Sequence, residues 1–327
     1  MLVTGGGGFL GSALCRVLVE RGCRVRSLSR GDYPALAALG VETHQGDVSD
    51  PSAVRRAVAG CDAVLHVAAK AGVWGSHAEY HRVNVTGTQV ILQACRQNDV
   101  ARLIYTSSPS VVYSGNDEAG INEAAPYPAS YLTSYPRTKA EAERLVLAAN
   151  SPELATVALR PHLIWGPGDQ HLTPRLIARA KSGRLRRVGD GRNLVDTTYI
   201  DNAVAAHLGA LDRLRYGEPC AGRAYFIANG EPLPLWDLID RMLACADLPP
   251  VTKCISPGAA YAIGAALEFG YWLLGRSDEP PMTRFVARQL STAHWYDLTA
   301  ARRDLGYAPG VNVDEGLRRL RAWIQAP

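Results

Sequence analysis

The first apolar stretch, Leu2-Val3-Thr4, is short and stops at four consecutive glycines, Gly5 to Gly8. Ser12 to Arg21 then repeats apolar positions every three or four residues. Short continuous apolar runs bounded by turn residues read as buried strands, and the three-to-four spacing reads as an amphipathic helix. Further strand-like runs fall at 22–30, 41–45, 61–69, 102–108, 155–159 and 224–228. Helical spacing lies between them: after the capping sequence Ser49-Asp50-Pro51-Ser52, from Glu79 to Gln97, and around Tyr135. Strand and helix alternate, so the predicted class is α/β, a Rossmann-type doubly wound parallel sheet.

Beyond residue 165 the alternation weakens. Residues 166–194 read as a loop with one amphipathic helix, Thr173 to Ser182. Val195 to Leu214 returns to the core, with Asp201 expected to cap a helix. Helices are expected at 235–246, 283–291, 299–305 and 313–325. The predicted division is a nucleotide-binding domain, 1–165 with 195–228 returning to it, and a smaller, mostly helical C-terminal lobe, 166–194 and 229–327, for substrate. Gly258 to Gly275 stands out as an apolar run with one charge, Glu268. Its length is near the lower limit of the ~17–25 residues of a membrane span. The favoured reading is a lining for a wide apolar pocket, or a lid helix. Contact with a membrane or partner surface comes second, suited by Tyr271 and Trp272, and a span comes last.

Composition narrows the function classes. Of 327 residues, 47% are hydrophobic and 20% charged, with a formal charge of +4, as in ordinary globular proteins. No Lys/Arg block with interleaved aromatics is present, which argues against a nucleic-acid partner, and Arg184 to Arg187 reads as a solvated helix end. The seven cysteines form no CxxC pair, so they read as reduced thiols packed as small hydrophobes, with no metal site. No leader peptide is visible, and the expected location is cytoplasmic, with membrane association through 258–275 left open.

The candidate chemistry starts at the glycines. Gly5, Gly8 and Gly11 have the spacing GxxGxxG between a strand and a helix, the context of a dinucleotide-binding turn. Phe9 and Leu10 lie in this stretch, just ahead of the helix whose terminal amides would face a pyrophosphate. The second strand ends in Ser29-Arg30 where NAD-preferring sites usually place a carboxylate. A guanidinium matches a 2′-phosphate, which favours NADP(H), while Asp32 keeps NAD(H) open. Asp47 and Val48 are placed to meet an adenine, and Ala68 and Ala69 are small enough for a ribose or nicotinamide to lie close. His66 lies in a continuous buried run and reads as a satisfied core histidine, and Asn84 as a buried brace for a neighbouring strand.

Tyr135 and Lys139 are four residues apart on one helix face. A phenol titrates near ~10, and a nearby cation lowers that value, so the pair can exchange a proton with a carbonyl or alcohol oxygen. Ser108, at a strand end, can donate to the same oxygen.

Thr4 to Gly11, Tyr105-Thr106-Ser107-Ser108 and Tyr135-Pro136-Arg137-Thr138-Lys139 occur in this order, and together they resemble the extended short-chain dehydrogenase/reductases. Leu159-Arg160-Pro161, Trp165 to Asp169 and Val195 to Asn202 extend the match over nearly the whole chain. It is most similar to the 3β-hydroxysteroid-dehydrogenase-like branch. Ala68 to Gly75 and Leu163 to Asp169 further resemble the β-keto acid reductases of bacterial olefin biosynthesis. The resemblance implies hydride transfer from NADPH to the ketone of a long-alkyl 3-keto acid. Tyr135 would be the proton donor, Lys139 would hold the ribose and depress the tyrosine, and Ser108 would position the oxygen. Backbone near Pro161 would meet the nicotinamide, with His162 more suited to a loop hydrogen bond than to substrate. It also implies a homodimer, with contact to other pathway enzymes left open. Rival readings are a sugar-nucleotide epimerase or dehydratase, a 3β-hydroxysteroid dehydrogenase, and a non-catalytic NADP-sensing protein.

Overall fold

The computed structural model describes residues 1–326. Its central sheet is wholly parallel, with seven strands in the order β12-β7-β5-β4-β1-β2-β3. In chain order its first part is β1 (Leu2–Thr4), α1 (Phe9–Glu20), β2 (Arg26–Ser29), α2 (Pro34–Ala38), β3 (Glu42–Gln45), α3 (Pro51–Val58) and β4 (Ala63–His66). Next come α4 (His77–Tyr80), α5 (Gly87–Gln97), β5 (Arg102–Thr106), β6 (Glu118–Ile121), α6 (Ser134–Ala148) and β7 (Ala155–Pro161). From β1 the chain first winds outward to β2 and β3, then crosses back to β4, β5 and β7. The order therefore reverses between β1 and β4, where open α/β sheets place a ligand crevice beyond the carboxyl ends of the strands.

The inner strands are buried on both faces, as parallel sheets between helix layers require, while the edge strand β3 is largely exposed. β4 and β7 expose no residue at all, and α1 and α8 (Ile200–Arg213) cover one face while α3, α5 and α6 cover the other. Asp50 caps α3 as expected, its Oδ1 accepting from the Ser52 amide.

The remaining elements are β8 (Ile164–Trp165), α7 (Leu172–Lys181), β9 (Arg187–Val188), β10 (Leu194–Val195), β11 (Thr198–Tyr199), β12 (Arg223–Ile227), β13 (Leu233–Pro234) and α9 (Leu235–Cys245). β14 (Cys254–Ile255), α10 (Pro257–Leu273), α11 (Arg284–Gln289), β15 (His294–Tyr296), α12 (Thr299–Leu305) and α13 (Val313–Gln325) complete the chain. A small sheet, β13-β10-β15-β6, stands beside the main one.

Three expectations need correction. The helix expected from Glu79 starts at His77 and carries a π-helical turn, His81–Thr86, between α4 and α5. Asp201 caps nothing: Tyr199 is the N-cap of α8, and Asp201 pairs with Arg319 of α13 at 3.0 Å. No helix among the described residues is long and apolar enough to cross a membrane, which removes the span reading of 258–275.

Candidate functional site

The crevice is a cavity of about 740 Å³. Its floor is the glycine turn. Gly5 has φ +70°, and its amide donates to the Leu28 carbonyl, which ties the turn to β2. A Cβ on Gly11 would lie 2.1 Å from the Gly5 carbonyl oxygen, so only glycine lets α1 approach this closely. Thr4 Oγ1 accepts from the amides of Val67 and Ala68, bringing the end of β4 against Gly5. Gly8 caps α1, no acidic residue occupies its first turn, and Gly7 to Gly11 line the cavity. Unpaired helix-start amides in an acid-free cradle fit a pyrophosphate.

At the ends of β2 and β3, Ser29, Arg30, Asp47 and Val48 all reach the cavity wall. Ser29 Oγ accepts from the Gly7 amide at 3.2 Å, so this hydroxyl braces the glycine turn. Arg30 is exposed and has no carboxylate partner among the described residues, whereas Asp32 is exposed and does not line the cavity. Asp47 accepts from the Ser49 amide and hydroxyl and pairs with Arg82 at 2.9 Å. Burial pushes its carboxyl up, but these donors prevail and hold it below its usual value. Tyr33, not a candidate on sequence grounds, lays its ring over Gly7 and also lines the cavity.

The opposite wall carries the proton-transfer residues. Tyr135 lies in the first turn of α6, where Pro136 is tolerated because its missing amide has no helical partner. Lys139 is buried one turn on; its Nζ donates to the Thr106 carbonyl at 2.6 Å and lies 4.1 Å from the centre of the Tyr105 ring. Burial lowers its pKa to about 7, opposed by Glu143. Burial raises the Tyr135 phenol and the Ser108 hydroxyl draws it down; the expected lowering by Lys139 is not a feature of this arrangement. A raised phenol remains protonated at neutral pH, the state a proton donor needs. Ser108 accepts from the Ser110 amide, starting a short 3₁₀ turn, and its hydroxyl lies 2.9 Å from that of Ser110.

Two ties fix α6. Asn84, in the π turn, accepts from the Lys70 amide at 2.7 Å and donates to the Lys70 carbonyl and to Thr138 Oγ1, so it braces the loop after β4 against the residue beside Lys139. Glu143 makes a fully buried bidentate pair with Arg160 of β7, at 3.0 and 2.7 Å. That pair sets the helix against the strand whose last residue, Pro161, closes the cavity beside Ala68 and Ala69. His66 is a core histidine, held by Thr4 and Thr88.

A second polar group in the wall is absent from the sequence reading. Glu118 of β6 is buried, faces the cavity, and accepts from the Tyr296 hydroxyl at 3.0 Å. His294 Nδ1 is 3.8 Å from the same carboxylate. Burial lifts Glu118 to about 7. His162 stacks on His294 and donates from Nδ1 to the Asp196 carbonyl, the loop bond expected of it, yet it also lines the cavity. Residues 258–275 do not line the cavity: α10 packs on α11, which corrects the favoured reading of that run as pocket lining. Among the described residues no cluster of His, Cys, Asp and Glu could hold a metal.

A parallel doubly wound sheet with a dinucleotide cradle facing a Ser-Tyr-Lys wall defines an extended short-chain dehydrogenase/reductase. Residues 2–254 match the 3-beta hydroxysteroid dehydrogenase/isomerase family, and the chain belongs to it. It is 56% identical to the 2-alkyl-3-oxoalkanoate reductase of Stenotrophomonas maltophilia, over 98% of both chains. It is 49% identical to the Shewanella oneidensis protein of the same name, over 98% of this chain and 85% of that one. Among solved structures, MoeE5 in complex with UDP-glucose and NAD superposes with a TM-score of 0.75 at 26% identity, covering 98% of this chain and 97% of that chain.

Proposed function

We propose that the protein reduces the 3-keto group of long-chain 2-alkyl-3-oxoalkanoates to the 3-hydroxy acid, with NADPH as hydride donor. The reading of ketone reduction is carried by Ser108, Tyr135 and Lys139 sharing one cavity with the glycine cradle. The substrate class is supported by the name of a relative 56% identical over both chains. When bound, the reduced nicotinamide supplies a hydride to the ketone carbon. Ser108 and Tyr135 hydrogen-bond the carbonyl oxygen, and Tyr135 gives its proton to that oxygen as charge develops there. Lys139, next to Thr106 at the end of β5, is placed to reach ribose hydroxyls and to resupply the proton. Arg30, unpaired at the cavity rim, supports the preference for NADP(H) over NAD(H).

Residues 1–165 with 195–228 act as the nucleotide-binding part, and 166–194 with 229–327 supply the substrate side. The UDP-sugar readings suggested by some structural neighbours find less support, because Phe285, Tyr113, Leu163 and Val73 give the substrate side an apolar wall. The test is oxidation of NADPH and NADH, side by side, over 3-oxo acids of increasing 2-alkyl and chain length. Faster turnover with longer chains and with NADPH is expected. No turnover on any ketone, with cofactor still bound, contradicts the reading, and equal rates with both cofactors contradict the role of Arg30.

A further inference from the structure

α10 presents an outer face without a single polar side chain. Ala259, Ala262, Ile263, Ala266, Phe269 and Leu273 recur along it at helical spacing and all are exposed. Exposure rises toward its end: Phe269 is 62% exposed, Trp272 71%, Leu273 67% and Leu274 72%, with the Phe269 and Trp272 rings 6.0 Å apart. Soluble surfaces seldom gather this many large apolar groups without a partner. The inner face is fixed. Gly264 sits where a Cβ would meet the Thr283 backbone at 2.6 Å, and Glu268 accepts from both the amide and the guanidinium of Arg284.

A second feature borders this face. α7 packs on α9, and two links join its ends to the segments that flank α10. At one end Arg175 pairs with Glu279, just past α10; at the other β9 pairs with β14, which leads directly into α10. The second link gathers basic residues at the start of α10: the Arg187 amide donates to the Lys253 carbonyl, and Lys181, Arg184 and Arg186 precede it. Lys181, Arg184 and Lys253 are exposed and have no carboxylate partner among the described residues. The same elements frame the cavity mouth. His171 and Leu172, at the start of α7, line the cavity together with Gly72 and Val73. In that second loop Trp74 donates to the Arg276 carbonyl at 3.1 Å and meets the Tyr271 ring edge-on.

The geometry points to an anionic lipid surface as the partner of this face. Phe269, Trp272 and Leu273 enter the headgroup region, Lys181, Arg184 and Lys253 meet the acidic headgroups, and the cavity mouth opens alongside the interface. An exposed apolar helix face with its aromatic groups toward one end and unpaired cations at the other suits a helix lying on an acidic surface. For a substrate with two long alkyl chains, such docking lets it pass from lipid to site without crossing water. The docking itself does not depend on which ketone is reduced.

The test is co-sedimentation of the full chain with vesicles of phosphatidylcholine alone and of phosphatidylcholine mixed with phosphatidylglycerol. The wild-type chain is expected to pellet with the mixed vesicles and less with the neutral ones. The doubly substituted Phe269→Ser, Trp272→Ser chain is expected to bind at least about tenfold more weakly, since it loses the apolar anchor. Lys181→Glu with Arg184→Glu is expected to lose the preference for the anionic vesicles. Thermal unfolding of each variant, unchanged from wild type, shows that these exposed positions were altered without loss of fold. Wild-type protein remaining in the supernatant with mixed vesicles overturns the proposal. So does a Phe269→Ser, Trp272→Ser chain that still pellets, or light scattering in which those substitutions convert a dimer to a monomer while no vesicle binding is seen.

Discussion

At Glu118 burial outweighs every polar neighbour and lifts the carboxyl from its ordinary 4.5 to about 7. The groups facing it are the Tyr296 hydroxyl, His294, His162 and, further off, Arg160. Between pH 4.5 and 7 the folded chain holds a proton here that the unfolded chain has released. This carboxyl therefore favours the fold at low pH, and the benefit is lost as pH rises through about 7. In Glu118→Gln that loss is absent. The unfolding midpoint of the variant relative to wild type should accordingly be higher at pH 8 than at pH 5. A difference that does not change between the two contradicts the burial argument. The sequence offers no hint of this residue, because Glu118 follows Asp117, opens a short glycine-containing strand and becomes buried only when β15 pairs with it from 176 residues away. Tyr135, Lys139 and Ser108 are legible for the opposite reason. Their chemistry lies in residue type, spacing and position at a strand end, all of which are local.

Among the elements, the glycine turn and α1 are the most tightly determined. Gly11→Ala would drive a methyl group into the Gly5 carbonyl, and both atoms belong to backbone that cannot rotate away. Overpacking of this kind costs about 1–3 kcal/mol. The variant should unfold at lower denaturant concentration and lose NADPH binding in a fluorescence titration; wild-type values for both contradict the packing argument. The inner strands β4, β5 and β7 could be read from the sequence because burial on both faces makes each a largely apolar run, whereas the outer strands β2 and β3 carry polar residues. β6 and β15 could not, since three or four residues paired across the chain leave no periodic trace. α10 was readable as a helix but not as a surface: an apolar run with no polar stripe does not say which side is covered.

For the molecule as a whole, the buried histidines govern the response to acid. Burial depresses His66 to about 3 and His162, His207 and His294 to about 4, each from an ordinary 6.5. Their contribution is fully present above pH 6.5 and is lost as pH falls through about 4, because the unfolded chain binds protons that the folded chain refuses. Glu118 and Asp196, lifted to about 7 and about 6, act in the opposite sense. Glu123 is also raised by burial, and four histidines against three carboxyls still leave a net proton uptake on unfolding at pH 5. Calorimetry in buffers of different ionisation enthalpy measures it directly, and zero uptake or net release contradicts this account. The overall α/β class, as a doubly wound parallel sheet, was legible in the sequence, but the order of its strands was seen only in the fold. Nor was the small sheet legible, because it depends on segments brought together only by the fold.

The central claim is that Tyr135 delivers a proton to the reduced ketone. The most direct measurement compares Tyr135→Phe with wild type for NADPH-dependent turnover of a long-chain 2-alkyl-3-oxoalkanoate, with NADPH affinity measured in parallel. Loss of a positioned general acid costs about 10²–10⁴-fold. Turnover reduced to that extent with NADPH affinity unchanged is the predicted result, and turnover equal to wild type would contradict it.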